Sequence, residues 1–175
     1  MENAYQPELW RDAYVVLGTA AAGLIGLLFV VISIHLDEIS NNRVYRIRAR
    51  NNLFYLFVMV VEATLVLIPQ LMRVLGIEIA VVGMCLLMLH GRNLYAFAYK
   101  NRDIGSSGGF QAYTALRFII SDLLAIAGGV LLIESSNWGL YVMTASYIVF
   151  LGSVILNAWL IMLGVGQSGK TAKAG

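Results

Sequence analysis

The sequence predicts an all-α, polytopic integral membrane protein with five transmembrane helices in one antiparallel bundle. Hydrophobic residues make up 59% of the 175-residue chain and the mean hydropathy is +0.77. Such a chain is too apolar for a soluble domain of this length. Charged residues are only 13% of the chain and cluster between long apolar runs. Five of those runs approach or exceed the roughly 20 residues that cross a bilayer as a helix.

The apolar runs also fix where the spans are expected. Backbone groups in lipid must bond internally, and the runs lack the period-2 alternation of barrel strands, so helices are predicted. The spans and short loops use nearly all of residues 1–175, which are therefore predicted to form a single transmembrane domain. The expected spans are residues 13–36, 52–72, 77–97, 113–133 and 139–164, with loops at residues 37–51 and 98–112 on one side.

The first span carries small residues at every fourth position, Gly18, Ala22 and Gly26. Membrane helices associate by close backbone approach at such residues. We expect this face to contact another helix, either within the chain or in a second copy of it.

Four arginines follow the first span, and three of them are spaced to share one helical face. We expect a helix that extends beyond the membrane, with guanidinium groups on lipid phosphates. A simple topology anchor and a docking site for a partner are the alternatives. The four residues are Arg43, Arg46, Arg48 and Arg50.

The remaining connections are short or glycine-rich. Residues 73–76 and 134–138 are too short for anything but tight turns, so each is expected to join neighbouring antiparallel helices. The segment 101–111 contains Gly105-Ser106-Ser107-Gly108-Gly109 and is expected to be a flexible loop. The small, polar tail at residues 167–175 is expected to be frayed.

The distribution of basic residues predicts the orientation. Ten of the twelve lysines and arginines fall on the side of the arginine-rich loop, and only Arg11 and Arg73 fall on the other. By the positive-inside rule the N-terminus is outside and the C-terminus cytoplasmic. We expect a multi-pass protein of the cell (inner) membrane, with Trp10, Tyr14 and Tyr141 at its outer boundary.

Glu62 is the most informative residue, because it lies in the middle of the predicted second span. A carboxylate at the bilayer centre costs about 2.5–3.5 kcal/mol on insertion scales, so such residues usually face protein or water and serve a function. Pro69 cannot donate a hydrogen bond to the Leu65 carbonyl, so a bend and a free carbonyl oxygen are expected there.

Asp122 lies at a similar depth in the fourth span, and Asn157 adds a polar group to the fifth. If their helices face each other, the two carboxylates would repel and could hold a proton or a cation between them. Glu62, Asp122 and Asn157 are therefore the candidate ion pathway. Alternatively, Arg117 or Arg92 pairs with an acid and makes it a structural pin.

His35 and His90, the two histidines, fall toward the cytoplasmic ends of the first and third spans. Imidazole titrates near neutrality, which favours a pH-sensing role. Two imidazoles at equal depth on different helices could also ligate a b-type haem iron.

The sequence contains no motif for catalysis, metal binding or nucleic-acid binding, so no enzyme activity, metal, cofactor or nucleic-acid partner is predicted. Three functions remain open. The first is an oligomeric channel or carrier for protons or small cations. The second is a non-transporting regulatory or assembly subunit that binds another membrane protein. The third is haem-based electron transfer.

Overall fold

The computed structural model describes the backbone of residues 7–100 and 108–172, and the side chains of residues 10–42, 45–92, 95 and 116–159. Every element in the described backbone is a helix, which confirms the all-α prediction. Five of the six helices are long and apolar enough to cross a membrane, as expected of a multi-pass membrane protein. The helices are α1 (Pro7–Ile34), α2 (Leu36–Asn41), α3 (Arg43–Leu67), α4 (Met72–Lys100), α5 (Gly108–Ile133) and α6 (Trp138–Ala172).

The boundaries of α3 differ from the predicted second span. The helix begins at Arg43, so the arginine-rich segment is helical as expected, with α2 as a separate short helix before it. The helix ends at Leu67 rather than near residue 72, because Pro69 has no N–H with which to continue it. Residues 68–71 connect α3 to α4, which begins at Met72, five residues earlier than predicted.

The packing order of the helices differs from their order in the chain. α5 lies between α4 and α6 and packs closely against both, while α1 packs mainly on α3, and α3 joins the two groups through α6. α3 and α4 make only sparse contact. The expectation that a short turn makes α3 and α4 packing neighbours was wrong, since a connection brings helix ends together and side-chain packing decides the rest.

Glycine explains why α4 packs on α5. A Cβ at Gly76 would lie 2.6 Å from the Gly129 carbonyl oxygen, and a Cβ at Gly129 would lie 2.7 Å from the Gly76 carbonyl oxygen. The two backbones thus meet without side chains between them, which is the usual basis of tight helix association in membranes. Gly128 and Gly139 bring α5 and α6 together in the same way, with 3.0 Å between a Cβ at Gly128 and the Gly139 carbonyl oxygen.

The small residues of α1 are used only in part. A Cβ at Gly18 would meet the Ala63 Cβ of α3 at 3.1 Å, so this residue does contact a helix of the same chain. Ala22 and Gly26 are exposed, and no atom lies within 4 Å of a Cβ built at Gly26. Contact of this face with a second copy stays a prediction.

The α5–α6 turn is closed by a Schellman motif. The Ser135 N–H bonds the Leu132 carbonyl and the Ser136 N–H bonds the Leu131 carbonyl, both at 2.9 Å. Ser135 takes a φ of 60°, the left-handed conformation that glycine usually supplies at this position.

Two predictions concern the ends of α5 and α6. α6 continues to Ala172, so the first six residues of the tail expected to be frayed are helical. Most of the expected flexible loop, residues 101–107, lies outside the described residues.

Candidate functional site

A small cavity lies where α3, α4, α5 and α6 meet. It leaves about 10 Å³ for the centre of a water molecule, which is about the space that one buried water needs. Glu62 and Asp122 both line it, so the structure brings together the two acids that the sequence singled out. The other lining residues are Val58, Met59, Leu86, Ser121, Ala125, Ser146, Tyr147 and Phe150.

Asp122 is paired with a histidine. Its Oδ2 lies 2.5 Å from the His90 Nδ1, and the two residues are 1% and 4% exposed. Which of the two atoms is the hydrogen-bond donor depends on the tautomer of His90. The second carboxylate oxygen, Oδ1, is buried and has no hydrogen-bond partner among the described residues. Asp122 therefore contacts a basic group on α4 with one oxygen and keeps acceptor capacity at the other.

Aromatic rings enclose His90. Phe118 stacks on the imidazole with 5.0 Å between ring centroids and 15° between ring planes, and Tyr55 approaches it at 4.9 Å. Phe150 completes the cluster by contacting both Tyr55 and Phe118. The electron-rich faces of these rings can stabilise an imidazolium cation. The His90 Nε2 is buried and has no hydrogen-bond partner among the described groups.

Glu62 is 7% exposed and its Oε1 has no hydrogen-bond partner among the described side chains. The Tyr147 hydroxyl lies next to this carboxyl group and donates to the Met59 carbonyl at 2.7 Å. The Leu65 carbonyl that Pro69 leaves free does not join the site. Gln70 Nε2 donates to the Leu65 carbonyl at 3.1 Å, because the chain bends at Ile68 and brings the Gln70 amide to the C-terminal end of α3.

Asn157 lies away from the cavity. Its Nδ2 donates to the Asn52 Oδ1 at 2.6 Å, and both residues are buried between α3 and α6. Asn52 and Asn157 form a separate polar layer, so Asn157 does not share the cavity with the two acids.

The predicted arginine partners are not at the site. Among the described side chains, neither Arg117 nor Arg92 lies within ion-pair distance of Glu62 or Asp122. Arg92 is exposed on α4, and Arg117 is partly buried on α5. The acids are thus not neutralised by guanidinium groups of the described chain.

The arginines at the start of α3 lie on the surface or near it. Arg46 and Arg50 are exposed, Arg48 is partly buried, and the Arg46 Nη1 donates to the Ser40 carbonyl at 3.1 Å. The side chain of Arg43 lies outside the described residues. Contact of these arginines with lipid phosphates stays a prediction.

His35 and His90 do not form a pair. His35 lies between α1 and α2, is about one-third exposed and has Glu38 as its neighbour at 4.0 Å. In the described part of the chain, neither α1 nor α2 contacts α4, which carries His90. The two histidines thus lie on helices that do not contact each other in the described chain, and haem ligation by them stays a prediction.

Sequence reasoning missed three parts of this region. Tyr147 was not singled out in the fifth span, although a buried tyrosine hydroxyl usually finds a hydrogen-bond partner. Ser121 and Ser146 were not singled out either, although each hydroxyl donates to the other residue's carbonyl, at 3.0 Å and 2.7 Å. Glu78 was not singled out, although it lies inside α4 and accepts a hydrogen bond from Gln70 Nε2 at 2.9 Å.

Comparison of the chain with protein-family models, with curated proteins and with solved structures gave no match. Functional inference therefore rests on the geometry of the cavity and its surroundings.

Proposed function

We propose that the chain binds and passes protons inside the membrane, and that Glu62, Asp122 and His90 are the groups that carry them. The observation that supports this most is the shared cavity: two buried carboxyl groups from different helices face one space, and one of them contacts a buried imidazole. Carboxyl and imidazole groups within a membrane are the usual elements of proton relays.

The size of the cavity favours protons over other small cations. A hydrated sodium or potassium ion needs room for several waters, whereas this space suits about one. Two charged carboxylates in so small a space repel each other, and one proton bound between them removes that repulsion. The pair can therefore accept a proton from one direction and release it in another without a large structural change. An assembly of several copies in the membrane is compatible with this proposal.

Proton flux into liposomes tests the proposal. The purified protein is reconstituted with a pH-sensitive dye inside, and a potassium diffusion potential drives proton entry. We expect flux in the wild type and a fall of about tenfold or more in Glu62→Gln and in Asp122→Asn, because each variant removes a proton-carrying group. Glu38→Gln, an exposed acid outside the cavity, is the matched control and should leave the flux unchanged.

Two results would overturn the proposal. One is wild-type protein that carries no protons, and the other is a Glu62→Gln, Asp122→Asn double variant with full flux. Absence of flux together with a membrane protein that co-purifies in fixed stoichiometry would favour the non-transporting assembly subunit instead. Flux of sodium ions that equals that of protons would favour the broader cation channel.

A further inference from the structure

Three hydroxyl groups lie between Glu62 and one end of the bundle. This end, here called the Trp10 end, holds Trp10 and the start of α6, where the Trp10 and Tyr141 rings meet at 4.7 Å. The Tyr14 hydroxyl lies 3.2 Å from the Thr144 Oγ1, and Tyr14 is fully buried. Thr144 precedes Tyr147 by three residues, so both lie on neighbouring turns of α6.

Tyr147 stands between this pair and the acid. Its ring packs edge-on against Tyr14 with 5.7 Å between centroids, and its hydroxyl lies next to Glu62. The bond to the Met59 carbonyl holds the hydroxyl one helical turn from Glu62 on the same face of α3. A phenol hydroxyl both donates and accepts hydrogen bonds, and it can rotate from a backbone carbonyl to a carboxylate.

Aromatic rings lie on the opposite side of the cavity. Tyr55 lies seven residues before Glu62 in α3, about 10 Å along the helix axis, and packs there with Phe118 and Phe150. The Asp122–His90 pair lies within this aromatic cluster, and Asn52 and Asn157 lie beyond it. The surroundings of Glu62 are therefore unequal, with hydroxyl groups toward the Trp10 end and the Asp122–His90 pair among aromatic rings toward the Asn52 end.

We propose that Tyr147 is the relay through which Glu62 exchanges protons with the Trp10 end, by way of Tyr14 and Thr144. In the loading step the Tyr147 hydroxyl gives its proton to the Glu62 carboxylate and takes one from the Thr144 and Tyr14 hydroxyls, which are reprotonated from the Trp10 end. One proton enters and one carboxylate is neutralised, and release passes through the same groups in the reverse order. The proposal deepens the proposed proton transfer and rests on it.

The test removes the hydroxyl and keeps the ring. Tyr147→Phe should lower proton flux in liposomes about tenfold or more, because the relay is interrupted. Tyr141→Phe is the matched control, since that ring is exposed on the same helix, and it should leave the flux unchanged. Tyr147→Phe also loses the bond to Met59, so Thr144→Val serves as a second variant that leaves this bond in place and should slow the flux as well.

Infrared spectroscopy separates a relay from a structural role. The carboxyl stretch of Glu62, assigned by its loss in Glu62→Gln, shifts when its proton is exchanged for deuterium. If Tyr147 is the relay, Tyr147→Phe slows this exchange, whereas mere loosening of the packing would speed it. Unchanged or faster exchange in Tyr147→Phe, or full flux in both Tyr147→Phe and Thr144→Val, would overturn the relay. Absence of proton flux in the wild-type protein would instead overturn the proposed function. The deuterium-exchange measurement would still test whether Tyr147 exchanges protons with Glu62.

Discussion

The contact between α4 and α5 gives a quantitative prediction for Gly129→Ala. The added Cβ would lie 2.7 Å from the Gly76 carbonyl oxygen, 2.9 Å from the Ala80 nitrogen and 3.1 Å from the Ala80 Cβ. The first two atoms belong to backbone, so they cannot rotate away and the helices must separate. Overpacking of this kind costs about 1–3 kcal/mol, and we expect a value in the upper half of that range.

Reversible unfolding in mixed detergent micelles measures this cost as the change in the free energy of unfolding. Gly26→Ala is the control, because it makes the same substitution in a helix of the same membrane protein at a position with no atom within 4 Å. Alanine favours the helix over glycine by about 0.8–1.0 kcal/mol, so the control should be neutral or slightly stabilising. Equal destabilisation by the two substitutions would refute the assigned α4–α5 contact.

Gly76 extends the same prediction to a pair. The two glycines face each other across one contact, so an alanine at either position already forces the helices apart. The second alanine should then cost less, and the double variant should be less destabilised than the sum of the single variants by at least about 0.5 kcal/mol. Simple additivity would mean that Gly76 and Gly129 do not share one contact.

Two further predictions concern stability elsewhere in the bundle. Asn157→Leu should destabilise the protein by about 1–2 kcal/mol, because it leaves the fully buried Asn52 without its partner. Adding Asn52→Leu should recover part of this loss, and a double variant that is no more stable than the single variant would contradict the prediction. Ser135→Gly should stabilise the protein by about 0.5–1 kcal/mol, because glycine adopts a φ of 60° without steric cost. If the temperature of thermal unfolding does not rise in this variant, the turn is not strained at Ser135.

Local patterns predicted the elements of the fold well. Apolar runs of membrane length predicted five spanning helices, because the requirement that backbone groups bond internally acts on each segment by itself. Pro69 predicted a disturbance near the end of α3, although the helix ends there rather than bending. The partner of the freed Leu65 carbonyl could not be predicted, since the position of Gln70 depends on how the chain turns.

Small residues illustrate the limit of pattern reading. Gly18, Ala22 and Gly26 form the most regular stripe, yet in the described chain Gly18 contacts Ala63 whereas Ala22 and Gly26 are exposed. The tight contact at Gly76, a residue that the sequence placed in a turn, joins α4 to Gly129 of α5. Spacing within one helix shows which residues share a face. It does not show which face meets a partner, because that depends on the complementary shape of a distant segment.

The sequence by itself determined that the chain is helical, that it is apolar enough to cross a membrane five times, and that Glu62 and Asp122 are unusual residues within it. Only the tertiary structure decided that the two acids share a cavity, that His90 contacts Asp122 from a position 32 residues away, and that Tyr147 lies beside Glu62. Helix formation and lipid solubility depend on neighbours in the chain, whereas a buried polar site depends on which helices pack together.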